Sequence, residues 1–175
     1  MEELVEKQNL VTIASEHAIK CHRDTNHLYD GQPYEVHLKA VADTASYYSY
    51  LIPDEYLEIV FGACWCHDVI EDCRENYNSV KKICGEEVAN IVYACTNEKG
   101  KNRKERANFK YYEGIRSTPF ATFVKLCDRI ANIAHGYNTD NRMLDLYRKE
   151  NDYFKKQLYM ESLKPMFDKI EELLK

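Results

Sequence analysis

Apolar residues along this chain recur at three- and four-residue intervals rather than in strict alternation, the signature of amphipathic helices. Leu4, Ile13, Ala14, Ala18 and Cys21 share a face, so a helix is expected over residues 4–21. Val36, Ala40, Val41 and Ala45 define a second, over 34–51. Pro53-Asp54 reads as a helix start with Asp54 at the N-cap. The apolar run Ile59-Val60-Phe61-Gly62-Ala63-Cys64-Trp65 carries that third helix toward His67-Asp68. A loop around Asn76-Tyr77-Asn78 precedes Ser79, read as the cap of a helix interrupted near Gly85 and continuing to Cys95. Residues 104–117 read as a strongly charged helix, and Pro119 opens the next, which carries Phe123, Val124, Leu126 and Ile130. Two last helices are expected over 141–159 and 162–174. With few glycines and prolines, mostly between these segments, the pattern predicts an all-α bundle of one domain, residues 1–175.

One segment breaks the pattern. Cys66-His67-Asp68-Val69-Ile70-Glu71-Asp72 sets a His-Asp pair and a Glu-Asp pair four residues apart directly after an apolar run. In a helix this spacing puts His67 near Glu71 and Asp68 near Asp72. Three carboxylates and an imidazole so crowded resist burial unless positive charge offsets them, as a divalent cation does.

The chain has 175 residues, enough for a core without staples, and a net charge of −5, which argues against a general nucleic-acid binder. Local basic residues can still reverse the sign inside a cleft that takes a phosphorylated small molecule. No apolar run is long enough to span a bilayer, and the acidic start Met1-Glu2-Glu3-Leu4 lacks the character of a signal peptide. Seven cysteines scattered through helical stretches read as reduced thiols, which points to the cytoplasm. Cys64-x-Cys66 beside His67 is not read as a zinc site, because two such side chains point to nearly opposite faces of a helix; small core residues are the better explanation.

Three pieces of sequence combine into one constellation: His37 early in the second helix, His67-Asp68 in the third and Asp128 in a later one. Two imidazoles and two carboxylates suit Mn²⁺, Fe²⁺ or Zn²⁺ with positions left for water. Glu71 and Asp72 beside them can orient that water or move its proton. Singly, these residues have structural explanations, such as an ion pair of Asp128 with Arg129.

The order His, His-Asp, Asp resembles the HD superfamily of phosphohydrolases. Gly31-Gln32-Pro33-Tyr34-Glu35-Val36-His37, His67-Asp68-Val69-Ile70-Glu71-Asp72 and Lys125-Leu126-Cys127-Asp128-Arg129-Ile130-Ala131-Asn132 resemble the three signature blocks of the RelA/SpoT-type domain, in its small stand-alone form. The resemblance also takes in His22-Arg23, Thr96-Asn97-Glu98-Lys99, Arg103 and Arg106. It implies a helical bundle, a divalent metal (usually Mn²⁺) and removal of the 3′-pyrophosphate of guanosine tetra- or pentaphosphate; stand-alone members also act as NADPH 2′-phosphatases. By position, His37, His67, Asp68 and Asp128 match the metal ligands and Glu71 and Asp72 the water-activating pair. Arg23, Lys99, Arg103, Arg106, Lys125 and Asn132 are the matching substrate contacts.

Two departures bear on substrate. Where such proteins carry basic residues, this chain reads Asn26-His27-Leu28-Tyr29-Asp30, and Ala131 precedes the signature Asn. Another nucleotide phosphate as substrate, or a nucleotide sensor without turnover, are the alternatives. Of the other residues, His17 is expected to face solvent, His22 to lie near the pocket and Tyr112 to line a pocket wall. The apolar stripe Met166, Phe167, Ile170, Leu173 and Leu174 either packs on the bundle or meets a second copy.

Overall fold

The computed structural model describes residues 9–139 and 142–175. It is almost wholly helical, as the periodicity predicts. The first helix, α1 (Leu10–Asp24), begins where the Asn9 side chain accepts a hydrogen bond from Thr12 N at 2.8 Å; the expected turns before it lie outside the described residues. A feature without any apolar signal follows, a hairpin of β1 (Leu28–Tyr29) and β2 (Gln32–Pro33) turning at Asp30 and Gly31, both at positive φ. That backbone fits a two-residue turn that suits the strand twist.

Helix α2 (Glu35–Tyr47) ends earlier than expected and passes into a single 3-10 turn, Ser49–Leu51. Asp54 is no N-cap: Pro53 leads into another 3-10 turn, Asp54–Tyr56, before α3 (Leu57–Cys66). On α3, the half-buried Trp65 precedes the end of the helix, and Gly62 faces α1 and Val88 at ordinary contact distance. A Cβ there would sit 3.4 Å from Val88 Cγ2 and 3.6 Å from both Ala14 Cβ and Leu10 Cγ.

The chain then breaks at His67-Asp68 and restarts as the one-turn α4 (Val69–Asp72). Asn76, not Ser79, caps α5 (Tyr77–Cys84), and Ser79 completes a capping box by accepting from Asn76 N. Gly85, at φ 90°, separates α5 from α6 (Glu86–Cys95) where the interruption was expected. The charged stretch 104–117 is not one helix. It divides into α7 (Arg103–Arg106) and α8 (Phe109–Ser117) because Asn108 accepts from Tyr111 N at 3.1 Å and starts a new helix.

Helix α9 (Ala121–Thr139) runs through the middle of the bundle. Its buried residues include Phe123, Val124, Leu126, Cys127, Ile130, Ala131 and Ile133, and a helix apolar on nearly every side has to be surrounded. Helices α2, α3, α6, α8, α10 (Met143–Leu158) and α11 (Lys164–Leu174) all pack on it. The stripe Met166, Phe167 and Ile170 is buried against the bundle rather than left for another copy. All seven cysteines are free and buried; Cys66 Sγ meets Ala14 O at 3.5 Å and Cys84 Sγ at 3.9 Å. No helix among the described residues is long and apolar enough to cross a membrane.

Candidate active site

His37 stands one turn into α2, and His67 and Asp68 stand at the break between α3 and α4. Asp128 projects from the buried middle of α9. The third helix thus ends just before His67, and the helical pairing of His67 with Glu71 and of Asp68 with Asp72 is corrected. His67 Nδ1–H donates to Cys64 O at 2.8 Å, which takes up a carbonyl at the helix end and aims Nε2 inward. The backbone bond from Asp72 N to Asp68 O survives at 2.9 Å, but the acidic side chains diverge.

His37, His67 and Asp128 offer ligand atoms within 4.8 Å of one another, and all three residues are buried. The two Nε2 atoms are 3.3 Å apart; Asp128 Oδ1 lies 3.3 Å from that of His37 and 3.7 Å from that of His67. Asp68 Oδ2 joins from the rim, 2.8 Å from His67 Nε2 and 3.7 Å from His37 Nε2. Two imidazole nitrogens converging on carboxylate oxygens form a mixed donor set that fits a divalent first-row cation.

The electrostatics say the same. Burial lowers the pKa of His67, yet the charge of Asp68 and hydrogen bonds to Asp128 and Asp68 outweigh it and hold the pKa well above the usual histidine value. Burial works to raise both carboxyls, but Asp68 is held low by His67, and Asp128 by Lys125 and the two imidazoles. Positive charge from Lys125 and the imidazoles thus favours the ionised carboxylates of this group. The Tyr34 hydroxyl donates to Asp68 Oδ2 at 2.5 Å and fixes the carboxylate from outside.

Glu71 and Asp72 part company. Both oxygens of Glu71 are taken by Asn97, whose backbone N donates at 3.1 Å and whose Nδ2 donates at 2.9 and 3.1 Å. Asp72 instead faces His27 at 3.8 Å; burial, then the charges of Asp68 and Glu71, raise its carboxyl to about 7.

Asp68, Glu71, Asp72 and Asp128 line a cavity of about 850 Å³. Basic and aromatic residues line it as well, Arg103, Lys104, Arg106, Lys149, Tyr112 and Tyr153 among them. Of the expected substrate contacts, Arg103, Arg106, Lys125 and Asn132 line this cavity. Arg23 and Lys99 do not: Arg23 is exposed and paired with Glu35 at 2.7 Å, and Lys99 is exposed outside the lining. Lys125 donates to Asp128 Oδ2 at 2.8 Å. The amide of Asn132 is occupied at both ends, donating to Asp128 Oδ1 at 2.5 Å and accepting from the Tyr29 hydroxyl at 2.9 Å. Arg129 turns away from Asp128, stacks on Tyr147 and Phe154, and meets Glu150 at 3.2 Å. Glu150 also receives Arg103 at 2.7 and 3.2 Å, so one carboxylate from α10 ties down α7 and α9.

Sequence reasoning missed Tyr29, Tyr34, Asn97, Tyr147 and Glu150. Only Asn97 and Tyr34 lay within recognised motifs; the others act across long separations without a local signal. It also missed His135, whose Nε2 meets Asp30 Oδ2 at 3.0 Å and pins the hairpin to α9. The stretch lacking basic residues holds rings instead: His22 and His27 both stack on Tyr34, with centroids 4.2 and 4.0 Å away.

No family model matches the chain. It is 30% identical over 76 residues to the guanosine-3′,5′-bis(diphosphate) 3′-pyrophosphohydrolase MESH1 of Drosophila melanogaster, across 43% of this chain and 42% of that one. It is 27% identical over 120 residues to MESH1 of Danio rerio, across 69% of this chain and 62% of that one. The chain thus matches about half the length of these curated relatives. A solved structure, described as a metazoan ortholog of SpoT that hydrolyses ppGpp and plays a role in starvation responses, superposes with a TM-score of 0.75 at 21% identity. That match covers 97% of this chain and 96% of the other. The two share one helical fold.

Proposed function

We propose that the protein is a metal-dependent hydrolase that removes the 3′-pyrophosphate of guanosine tetra- or pentaphosphate. The observation that carries this reading is a buried His-His-Asp group whose Asp128 lines a cavity that Arg103, Lys104, Arg106, Lys149 and several tyrosines also line. Such a space accepts phosphates between a metal and basic side chains and leaves a base to stack on tyrosine. The similarity to the two MESH1 pyrophosphohydrolases supports it.

His37, His67, Asp68 and Asp128 would hold the cation, with Mn²⁺ the first choice and Fe²⁺ or Zn²⁺ compatible with the same donors. When bound, it lowers the pKa of a coordinated water and polarises a phosphoryl oxygen. The chain's own residues do the rest. Asp72 takes the proton of the attacking water, because its carboxyl is tuned toward neutrality and its oxygens are not claimed by a neighbouring amide. Glu71, clamped by Asn97, positions the turn that carries Asp72. Lys125 and Asn132 hold Asp128 in register rather than reaching first for the nucleotide. Arg106, Lys104 and Lys149 meet the phosphates, and the Glu150 clamp keeps Arg103 at the wall. We place this activity in the cytoplasm, in a chain working as one domain.

A second reading has its own observation. His27, stacked on Tyr34, stands in the stretch where basic phosphate contacts were expected, which suits a substrate with fewer phosphates, such as NADPH or another nucleotide. The deciding experiment is hydrolysis by metal-stripped protein reloaded with Mn²⁺, scoring pyrophosphate and orthophosphate separately. Pyrophosphate from guanosine tetraphosphate is the expected result. Orthophosphate from another nucleotide would move the substrate, and tight binding without product would make the protein a sensor.

A further inference from the structure

Away from the cavity, helix α1 and the segment after α4 bring together three side chains that the proposed hydrolysis does not use. His17 and Cys21 lie four residues apart on α1 and therefore on one face. His17 is half-buried, contrary to its expected exposure, and Cys21 is buried. Both His17 ring nitrogens stand 3.6 Å from Cys21 Sγ, and that sulfur stands 3.6 Å from Glu75 Oε1. One donor atom from each residue lies within 4.8 Å of the other two.

The spacing is informative. In a tetrahedral site with zinc–sulfur bonds of about 2.3 Å and zinc–nitrogen or zinc–oxygen bonds of about 2.0–2.2 Å, sulfur lies about 3.5–3.7 Å from its neighbouring ligand atoms. Both sulfur-centred distances fall on that edge. Arg74, immediately before Glu75, adopts φ 61°. Cys73, on the same segment, is directed elsewhere, to the Thr25 hydroxyl at 3.9 Å.

We propose that His17, Cys21 and Glu75 form a second metal site, for a zinc-class divalent cation with water at the open position. Imidazole, thiolate and carboxylate together select a borderline-soft ion. Burial lowers the pKa of His17, which keeps a ring nitrogen free to ligate, while the thiol must release its proton on binding. A cation there staples α1 to the segment that begins immediately after Asp72.

Cobalt distinguishes this site from the first centre, because the His37, His67 and Asp128 group contains no sulfur. Stripped full-length protein titrated with Co²⁺ should develop the near-ultraviolet absorption of a thiolate-bound ion. The band should vanish in Cys21→Ser, weaken in Glu75→Gln and His17→Ala, and persist in His67→Ala, which disables the other centre. Absence of the band in the unmodified protein, or its full retention in Cys21→Ser, overturns the proposal. Should Cys21→Ser fail to fold, Glu75→Gln and His17→Ala decide the matter. A band weakened in both supports the triad, and an unchanged band in either refutes it. Every outcome is read without reference to nucleotide hydrolysis.

Discussion

At the scale of single residues, the site separates groups that act from groups that aim. Glu71 is spent on Asn97, and Asn132 on Asp128 and Tyr29. Under the proposed hydrolysis, Asp72 is left as the group that moves a proton. Asp72→Asn is therefore expected to lower kcat by about 10²–10⁴-fold, the usual worth of a positioned base, and to abolish the acid limb of the pH–rate profile. With burial and two neighbouring carboxylates raising Asp72 to about 7 in the metal-free protein, and a divalent cation offsetting them, the limb should fall below 7. A limb that survives in Asp72→Asn would transfer the role to another group. Tyr29→Phe keeps the ring but releases Asn132, and should weaken metal affinity without changing the helical circular dichroism. The convergence of His37, His67, Asp68 and Asp128 was legible in the sequence because they sit in compact motifs. The aiming residues were not, since Tyr29 meets Asn132 from 103 positions away.

Among the elements, the short helices decide where the cavity ends. Residues 104–117 keep a helical pattern throughout, so periodicity alone gave no reason to divide them; the side chain of Asn108, competing for the backbone, does. That division frees α7 to swing its arginines to the wall, where Glu150 holds it. Removing Glu150 leaves Arg129, only 5% exposed, without its carboxylate. Breaking a fully buried pair costs about 3–5 kcal/mol, and because the Glu150 side chain is 31% exposed, a loss of about 2–3 kcal/mol is expected for Glu150→Ala. Denaturant melts would measure it, and a change below about 0.5 kcal/mol would reduce the clamp to an ordinary surface pair. The hairpin carried no apolar period because it is too short to bury a face, although Asp30-Gly31 is its turn signal.

For the whole molecule, two opposed titrations meet in one core. Asp128 is held below its unfolded pKa of about 3.9, so its contribution to stability is present above that pH and lost as the pH falls through the folded value. His67 is held above its unfolded value of about 6.5, so its contribution is complete below that pH and lost as the pH rises through the folded one. The metal-free protein should therefore gain most from this group between about pH 4 and 6.5. If the proposed cation binds here, it would take the place of the His67 proton and remove the alkaline loss. The rise in Tm on adding Mn²⁺ should grow from pH 6 to pH 8, and a constant or shrinking rise would refute that exchange.

The break of α3 at His67 also has an optical consequence. The chain contains one tryptophan, Trp65, two residues before the imidazole and half-buried on the last turn of that helix. Its emission therefore comes from a single address and is not diluted by other indoles. If the proposed ion binds at His67, the Trp65 emission should shift on loading, and the titration can then be followed by light without a label.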